Sequence, residues 1–175
     1  MRICIVARGW TWEHAQPERY DETWGLAHFP PSICHRVFEV HHWTHWQGYL
    51  KLDHYRGVLG SYGERLWMQF ANDCAPHANL IDVEAVEKIA GGFGPTCSIS
   101  WMLACAALER EKIEQVDLYG VDFVGHERLK KEPENVAYFV GYLRAMGVVV
   151  NSAPQSEFLR EPPYGHEIKR VVANV

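Results

Sequence analysis

Thr96-Cys97-Ser98 follows three glycines, Gly91, Gly92 and Gly94, and opens a run of small and apolar residues. A helix that begins there would point unpaired amide N–H groups and the positive end of its dipole at whatever lies in front of it, a natural anion site. The glycines let backbone approach a ligand where a Cβ would collide, and Thr96 and Ser98 add hydroxyl donors. The next strand closes on Gly120-Val121-Asp122, so one β-α-β unit delivers Asp122, a candidate for a ribose or metal contact or for a turn cap, to the rim that carries Thr96 to Ser98. Further candidates stand at other strand ends. Arg8 and Gly9 follow "RICIVA", where an arginine can neutralise a phosphate. Glu39 and His41 share one face of "HRVFEVHH"; His41 suits general acid–base work, and Glu39 could orient it or contact a ribose hydroxyl of a bound nucleotide. His126 is a second candidate base. His41 and His45 have metal-ligand spacing, but with no glutamate at His-Glu-x-x-His spacing no metal site is expected.

The elements that must carry these residues read as alternating strands and helices. "RICIVA", "TWGLAHF", "HRVFEVHH", "RLWMQFA", "QVDLYGVDF" and "VVVNSA" read as strands. "DVEAVEKIA" reads as a helix capped by Asp82 and stopped by Gly91-Gly92, and "SISWMLACAALERE" as a helix whose Ala104, Ala106 and Ala107 let it lie close on a sheet. "PENVAYFVGYLRAMG" reads as a third, with Pro133 in its first turn and Gly147 beyond its end. Strands separated by helices imply right-handed crossovers. The expected fold is therefore α/β, a single-domain Rossmann-like three-layer sandwich with a mainly parallel sheet. Residues 1–153 would form the nucleotide-binding domain and 154–175 an irregular tail. In such sheets ligands bind outside the carboxyl ends of the strands, which selects Arg8 and Gly9, His28, His41 and His42, Gln69 to Asn72, and Gly120 to Asp122, together with Gly94, Thr96, Cys97 and Ser98 around the helix start.

Composition narrows the classes. The 175 residues are 47% apolar and 22% charged, as in ordinary globular domains, and a net charge of −5 argues against general nucleic-acid binding. No apolar run approaches a membrane span, and "MRICIVARGW" is too short for a signal-peptide core. The five cysteines are odd in number and lack a Cys-x-x-Cys pair, so reduced thiols and a cytoplasmic setting are expected, with Cys97 the one to test for reactivity. Six of the seven tryptophans lie in the first 67 residues; they read either as packing or as a stacking platform for a base or sugar. A Walker loop, the Gly-x-Gly-x-x-Gly fingerprint and the Gly-x-Ser-x-Gly of serine hydrolases are all absent.

Thr96-Cys97-Ser98-Ile99, a small-residue helix and then "VDLYGVDF" resembles a group of short bacteriophage proteins related to bacterial sialyltransferases and to the archaeal-type pterin diphosphokinase. "IVARGWTWEHAQPERYDETWGLAHF", "RVFEVHHWTHWQGYL" and "AYFVGYLRAMGVVV" extend the resemblance over roughly residues 2–150. It implies a modified Rossmann domain and gives Thr96, Cys97 and Ser98 a role in binding a nucleotide or nucleotide sugar, with magnesium compatible. It also implies a host-cell cytoplasmic location if the chain is phage-encoded. Two functions stay open: a small glycosyl- or phospho-transferase, and a non-catalytic module that sequesters a nucleotide. "ERLKKEP" lacks the tyrosines of the phage relatives, which favours the second, while the rim of His, Glu and Asp favours the first. Sheet edges and tryptophans would allow a homo-oligomer.

Overall fold

The computed structural model describes residues 1–30, 32–41, 52–92, 94–123, 132–156 and 158–159. Strand β1 (Arg2–Val6) lies at its centre and serves two cores at once. Ile3 and Ile5 belong to one apolar cluster and Cys4 and Val6 to the other, all four almost fully buried. A strand covered on both faces has no need of polar alternation, which is why "ICIV" is apolar throughout.

Around β1 stand β2 (Glu22–Leu26), β3 (Arg36–Glu39), β4 (Leu66–Met68), β5 (Asn79–Leu80), β6 (Gln115–Tyr119) and β7 (Val149–Ser152). Their order is β5-β4-β3-β2-β1-β6-β7, and every neighbouring pair is parallel. The α-helices among the described residues are α1 (Leu52–Tyr62), α2 (Val83–Ile89), α3 (Ser98–Leu108) and α4 (Glu132–Ala145). Helix α1 covers one face of the sheet through Tyr55, Leu59 and Tyr62. The other face is covered by α2, α3 and α4. The fold is thus the expected single-domain Rossmann-like α/β sandwich, with a sheet that is parallel at every pair.

Local chemistry sets the boundaries. Asp82 caps α2 by accepting the Ala85 N–H at 2.9 Å. Gly147, at φ 84°, ends α4, and the Val148 N–H turns back to the Leu143 carbonyl at 3.0 Å. Helix α3 is buried on all sides from Ser100 to Ala107, so it reads as apolar all round. Short 3-10 turns at Trp10–His14 and Pro17–Arg19 occupy the β1–β2 connection. Helix α1 and the two-residue β5 carry no assignment in the sequence reading. Past β7 the chain stays against the sheet at two points: Ser156 is buried and its hydroxyl donates to the Val121 carbonyl at 3.2 Å, while Phe158 packs edge-on against Phe123.

The tryptophans divide. Trp24 and Trp67 sandwich the Arg36 guanidinium at 4.6 and 4.9 Å, and Arg36 pairs with Glu22 at 2.8 Å and Glu109 at 2.5 Å, clamping β2 and β3 to the end of α3. Trp10 and Trp12 are exposed at the carboxyl edge of the sheet. Trp43 and Trp46 lie outside the described residues.

Candidate functional site

Strand order reverses at β1. The chain steps from β1 outward through β2, β3, β4 and β5, then returns to place β6 on the opposite side of β1. The connections leaving β1 and β6 therefore diverge, and the crevice between them is where open α/β sheets bind ligands.

The two connections are clasped before they part. Ala7 N–H donates to the Tyr119 carbonyl at 2.8 Å and Gly9 N–H to the Gly120 carbonyl at 2.7 Å. Only glycine fits here: Gly120 sits at φ 70°, and a Cβ on it would lie 2.1 Å from the Ala7 carbonyl oxygen. A Cβ on Gly9 would lie 2.6 Å from the Gly120 carbonyl oxygen. Thr11, fully buried, completes the clasp. Its N–H donates to Asp122 Oδ2 at 2.9 Å, its hydroxyl donates to Asp122 Oδ1 at 2.7 Å, and that hydroxyl accepts the Gly120 N–H at 2.8 Å. Of the roles open to Asp122, the geometry displays the turn-closing one, since both carboxylate oxygens accept from Thr11.

Above this floor opens a cleft of about 500 Å3. Nine of the residues anticipated from sequence line it: Arg8 and Gly9 after β1, His41 after β3, Thr96, Cys97 and Ser98 at the start of α3, and Gly120 to Asp122 after β6. Glu39 stands behind His41. Gly94 lies outside the lining; its carbonyl accepts from Asn135 Nδ2 at 3.3 Å, and Asn135 Oδ1 accepts the Thr96 N–H at 2.9 Å, so the first turns of α4 hold the loop entering α3. His126 falls outside the described residues, as do His42 and His45. Trp10, one of the tryptophans read either as packing or as a stacking platform, also lines the cleft, as do Phe123 and Glu132, which the sequence reading did not single out. Phe123 occupies the left-handed region at φ 49°, a conformation that costs a non-glycine residue energy and recurs at binding sites.

Cys97 is the N-cap of α3. Its N–H donates to Ser100 Oγ at 3.0 Å, and that hydroxyl donates back to the Cys97 carbonyl at 2.8 Å. Burial pushes the thiol pKa up, against hydrogen bonds from Ser100 that pull it down, so the surroundings of this capping thiol disfavour the thiolate. The Cys97 sulfur accepts from the first-turn N–H groups of Ile99 and Ser100, and with Thr96, Cys97 and Ser98 in its lining the cleft borders the positive end of the α3 dipole.

The polar group on the opposite lip is a relay. Glu39, almost fully buried, accepts the His41 N–H at 2.9 Å, contacts His41 Nδ1 at 2.6 Å and accepts the Tyr55 hydroxyl. Burial alone would raise the Glu39 pKa, but the hydrogen bonds from His41 and Tyr55 outweigh it and hold the carboxyl below its usual range. The hydrogen bond to Glu39 in turn raises the His41 pKa, while burial opposes it. Glu132, which opens α4, has its carboxyl raised by burial, with His41 pulling the other way. The cleft thus sets an imidazole oriented by a carboxylate opposite a helix N-terminus. Among the described residues no three His, Cys, Asp or Glu side chains converge on a shared point as metal ligands would, and no helix is long and apolar enough to cross a membrane.

No protein-family model, curated protein or solved structure matches the chain.

Proposed function

We propose that the protein binds a nucleotide or nucleotide sugar in the cleft between the β1 and β6 connections and transfers the activated group to an acceptor hydroxyl. The observation that carries this reading is the meeting of three features at the switch point. The N-terminus of an eleven-residue helix, a floor built from Gly9 and Gly120, and the Arg8 guanidinium border one cavity. The first two suit the diphosphate of a nucleotide and the third adds a positive charge.

In the transfer step, the bond from the activated group to the leaving phosphate breaks as the acceptor oxygen bonds to that group. The acceptor proton passes to His41 Nε2, with Nδ1 held by Glu39, and the charge on the leaving phosphate rests against the positive end of the α3 dipole and Arg8. General bases of this kind supply about 10²–10⁴-fold. His41 must be neutral to accept the proton. Because Glu39 raises its pKa, the rate should rise with pH through an inflection above an imidazole's ordinary 6.5.

The test is a thermal-shift panel of nucleoside phosphates and nucleotide sugars, followed by calorimetry and mass spectrometry of the recovered ligand. A ligand at 100 times its Kd should add about 2.7 kcal/mol of stability. A bound nucleotide sugar returned cleaved or transferred supports the full reading. Binding with the ligand recovered intact across a panel of acceptors removes the transfer step and leaves a sequestering module. No shift with any nucleotide overturns the proposal.

A further inference from the structure

A second cavity, of about 270 Å3, opens on the far side of Arg8, walled by Trp12, His28, Phe29 and Pro30. Among the described residues Arg8 alone lines both cavities. The larger one borders α3, on one face of the sheet; Phe29 belongs to the core under α1, on the other. The pair therefore straddles the carboxyl edge of the sheet.

The walls of the second cavity are built. The turn after β2 is tight: His28 and Phe29 both donate their N–H groups to the Leu26 carbonyl, at 2.6 and 3.0 Å. The Phe29 carbonyl accepts the buried Tyr62 hydroxyl at 2.9 Å, which anchors the turn to α1. Trp12 meets Phe29 edge-on at 5.6 Å and keeps 39% of its surface exposed. His28 lies 6.4 Å from Tyr55, the hydroxyl partner of Glu39, so this cavity adjoins the His41 relay. Among the described residues Arg8 has no ion pair.

We propose that this cavity is a separate subsite for the acceptor, a single hexose-sized ring that carries hydroxyls and one anionic group. The chemistry of each wall selects a part of that ligand. Trp12, Phe29 and Pro30 offer an apolar face to one ring. Arg8 matches a carboxylate or phosphate through its planar fork. Burial and the charge of Arg8 lower the His28 pKa, so the imidazole is neutral, with one nitrogen donating and the other accepting, as a hydroxyl requires. The volume has room for one ring and not for a nucleotide.

This assignment rests on the proposed transfer reaction for the word acceptor, but its binding test stands alone. Glucuronate, glucose 6-phosphate, glucose and benzoate are titrated by calorimetry into the full chain, and uridine diphosphate in parallel. Both anionic sugars should bind, with glucose and benzoate each weaker by about tenfold or more. Trp12→Ala and His28→Ala should each weaken the anionic sugars about tenfold and leave uridine diphosphate unchanged, while Arg8→Gln weakens both classes of ligand. If Trp12→Ala does not fold, His28→Ala carries the test, since that side chain is partly exposed. The subsite is overturned if neither anionic sugar binds, if benzoate binds as well as they do, if they compete with uridine diphosphate, or if His28→Ala leaves their affinity intact. Anionic sugars that bind with this pattern while uridine diphosphate does not would uphold the subsite and remove only the nucleotide reading of the larger cleft.

Discussion

Glu39 and His41 hold each other's protonation state, and the signs differ. The Glu39 pKa is lowered in the fold, so its contribution to stability is present above its unfolded value and is lost as pH falls through the folded one. The His41 pKa is raised, so its contribution is complete below the unfolded value and disappears as pH rises through the folded one. The pair stabilises the protein between those two limits. Glu39→Gln removes the carboxylate, and the His41 ring protons should then titrate at a lower pH by NMR than in the parent; an unchanged midpoint would show that Glu39 does not set it. The thiols make a second residue-scale prediction. Burial pushes Cys4, Cys34 and Cys105 up to about 12 and raises Cys97. A soluble thiol reagent at pH 7.5 should therefore modify Cys74 well before the other four, read by peptide mapping; rapid labelling of Cys97 would contradict a thiol held protonated by its surroundings. Position between Thr96 and Ser98 marked Cys97 as worth testing, but how far a thiol there is desolvated depends on how α3 sits, which a local pattern does not encode.

At the scale of elements, the site depends on how β1 and β6 hand over to their connections. Gly9→Ala would drive a Cβ into the Gly120 carbonyl and to 2.5 Å from Asp122 Oδ2, and both belong to the same clasp, so neither can yield without breaking it. The cost should be about 1–3 kcal/mol, and at roughly 2–4 °C per kcal/mol for a chain of this size the melting temperature should fall by several degrees. A melting curve matching the parent would mean that the clasp opens freely. Much of this was legible: apolar runs ending in Arg-Gly and Gly-Val-Asp mark two strand ends, and Gly-rich sequence before a small-residue run marks the start of α3. Thr11 was not, because its partners Gly120 and Asp122 are more than 100 residues away. Helix α1 was hidden by Gly57 and Gly60, each unfavourable in a helix by about 1 kcal/mol relative to alanine. Its buried stripe of Tyr55, Leu59 and Tyr62, spaced four and three apart, was the signal that could have revealed it. Glu132 stands beside Pro133 and reads as an ordinary acidic first turn; only the packing of α4 brings it to the cleft.

For the molecule as a whole, a seven-stranded parallel sheet leaves two edges, and an uncovered edge is a template for pairing with another copy. One edge, β5, is two residues long and offers little. The other, β7, is a fuller strand whose Val149 is 53% exposed. Its Val149 and Ala153 N–H groups donate to the Glu114 and Leu118 carbonyls, so in a parallel ladder the intervening Val150 directs its polar groups away from β6. Arg144, from the last turn of α4, meets the Val150 carbonyl there with Nε at 3.2 Å and Nη2 at 2.6 Å. The guanidinium satisfies the acceptor that an incoming strand would use and sets a fixed charge beside it, a recognised way of blunting an edge. Arg144→Ala should uncover that carbonyl and remove the charge together, with little loss of core packing because Arg144 is exposed. The expected result is a lower onset temperature of light scattering and a concentration-dependent shift toward larger species in sedimentation, with Arg144→Lys in between because it keeps the charge but loses the two-pronged contact. Identical scattering and sedimentation for the parent and the alanine variant would show that this edge is held apart by something other than Arg144.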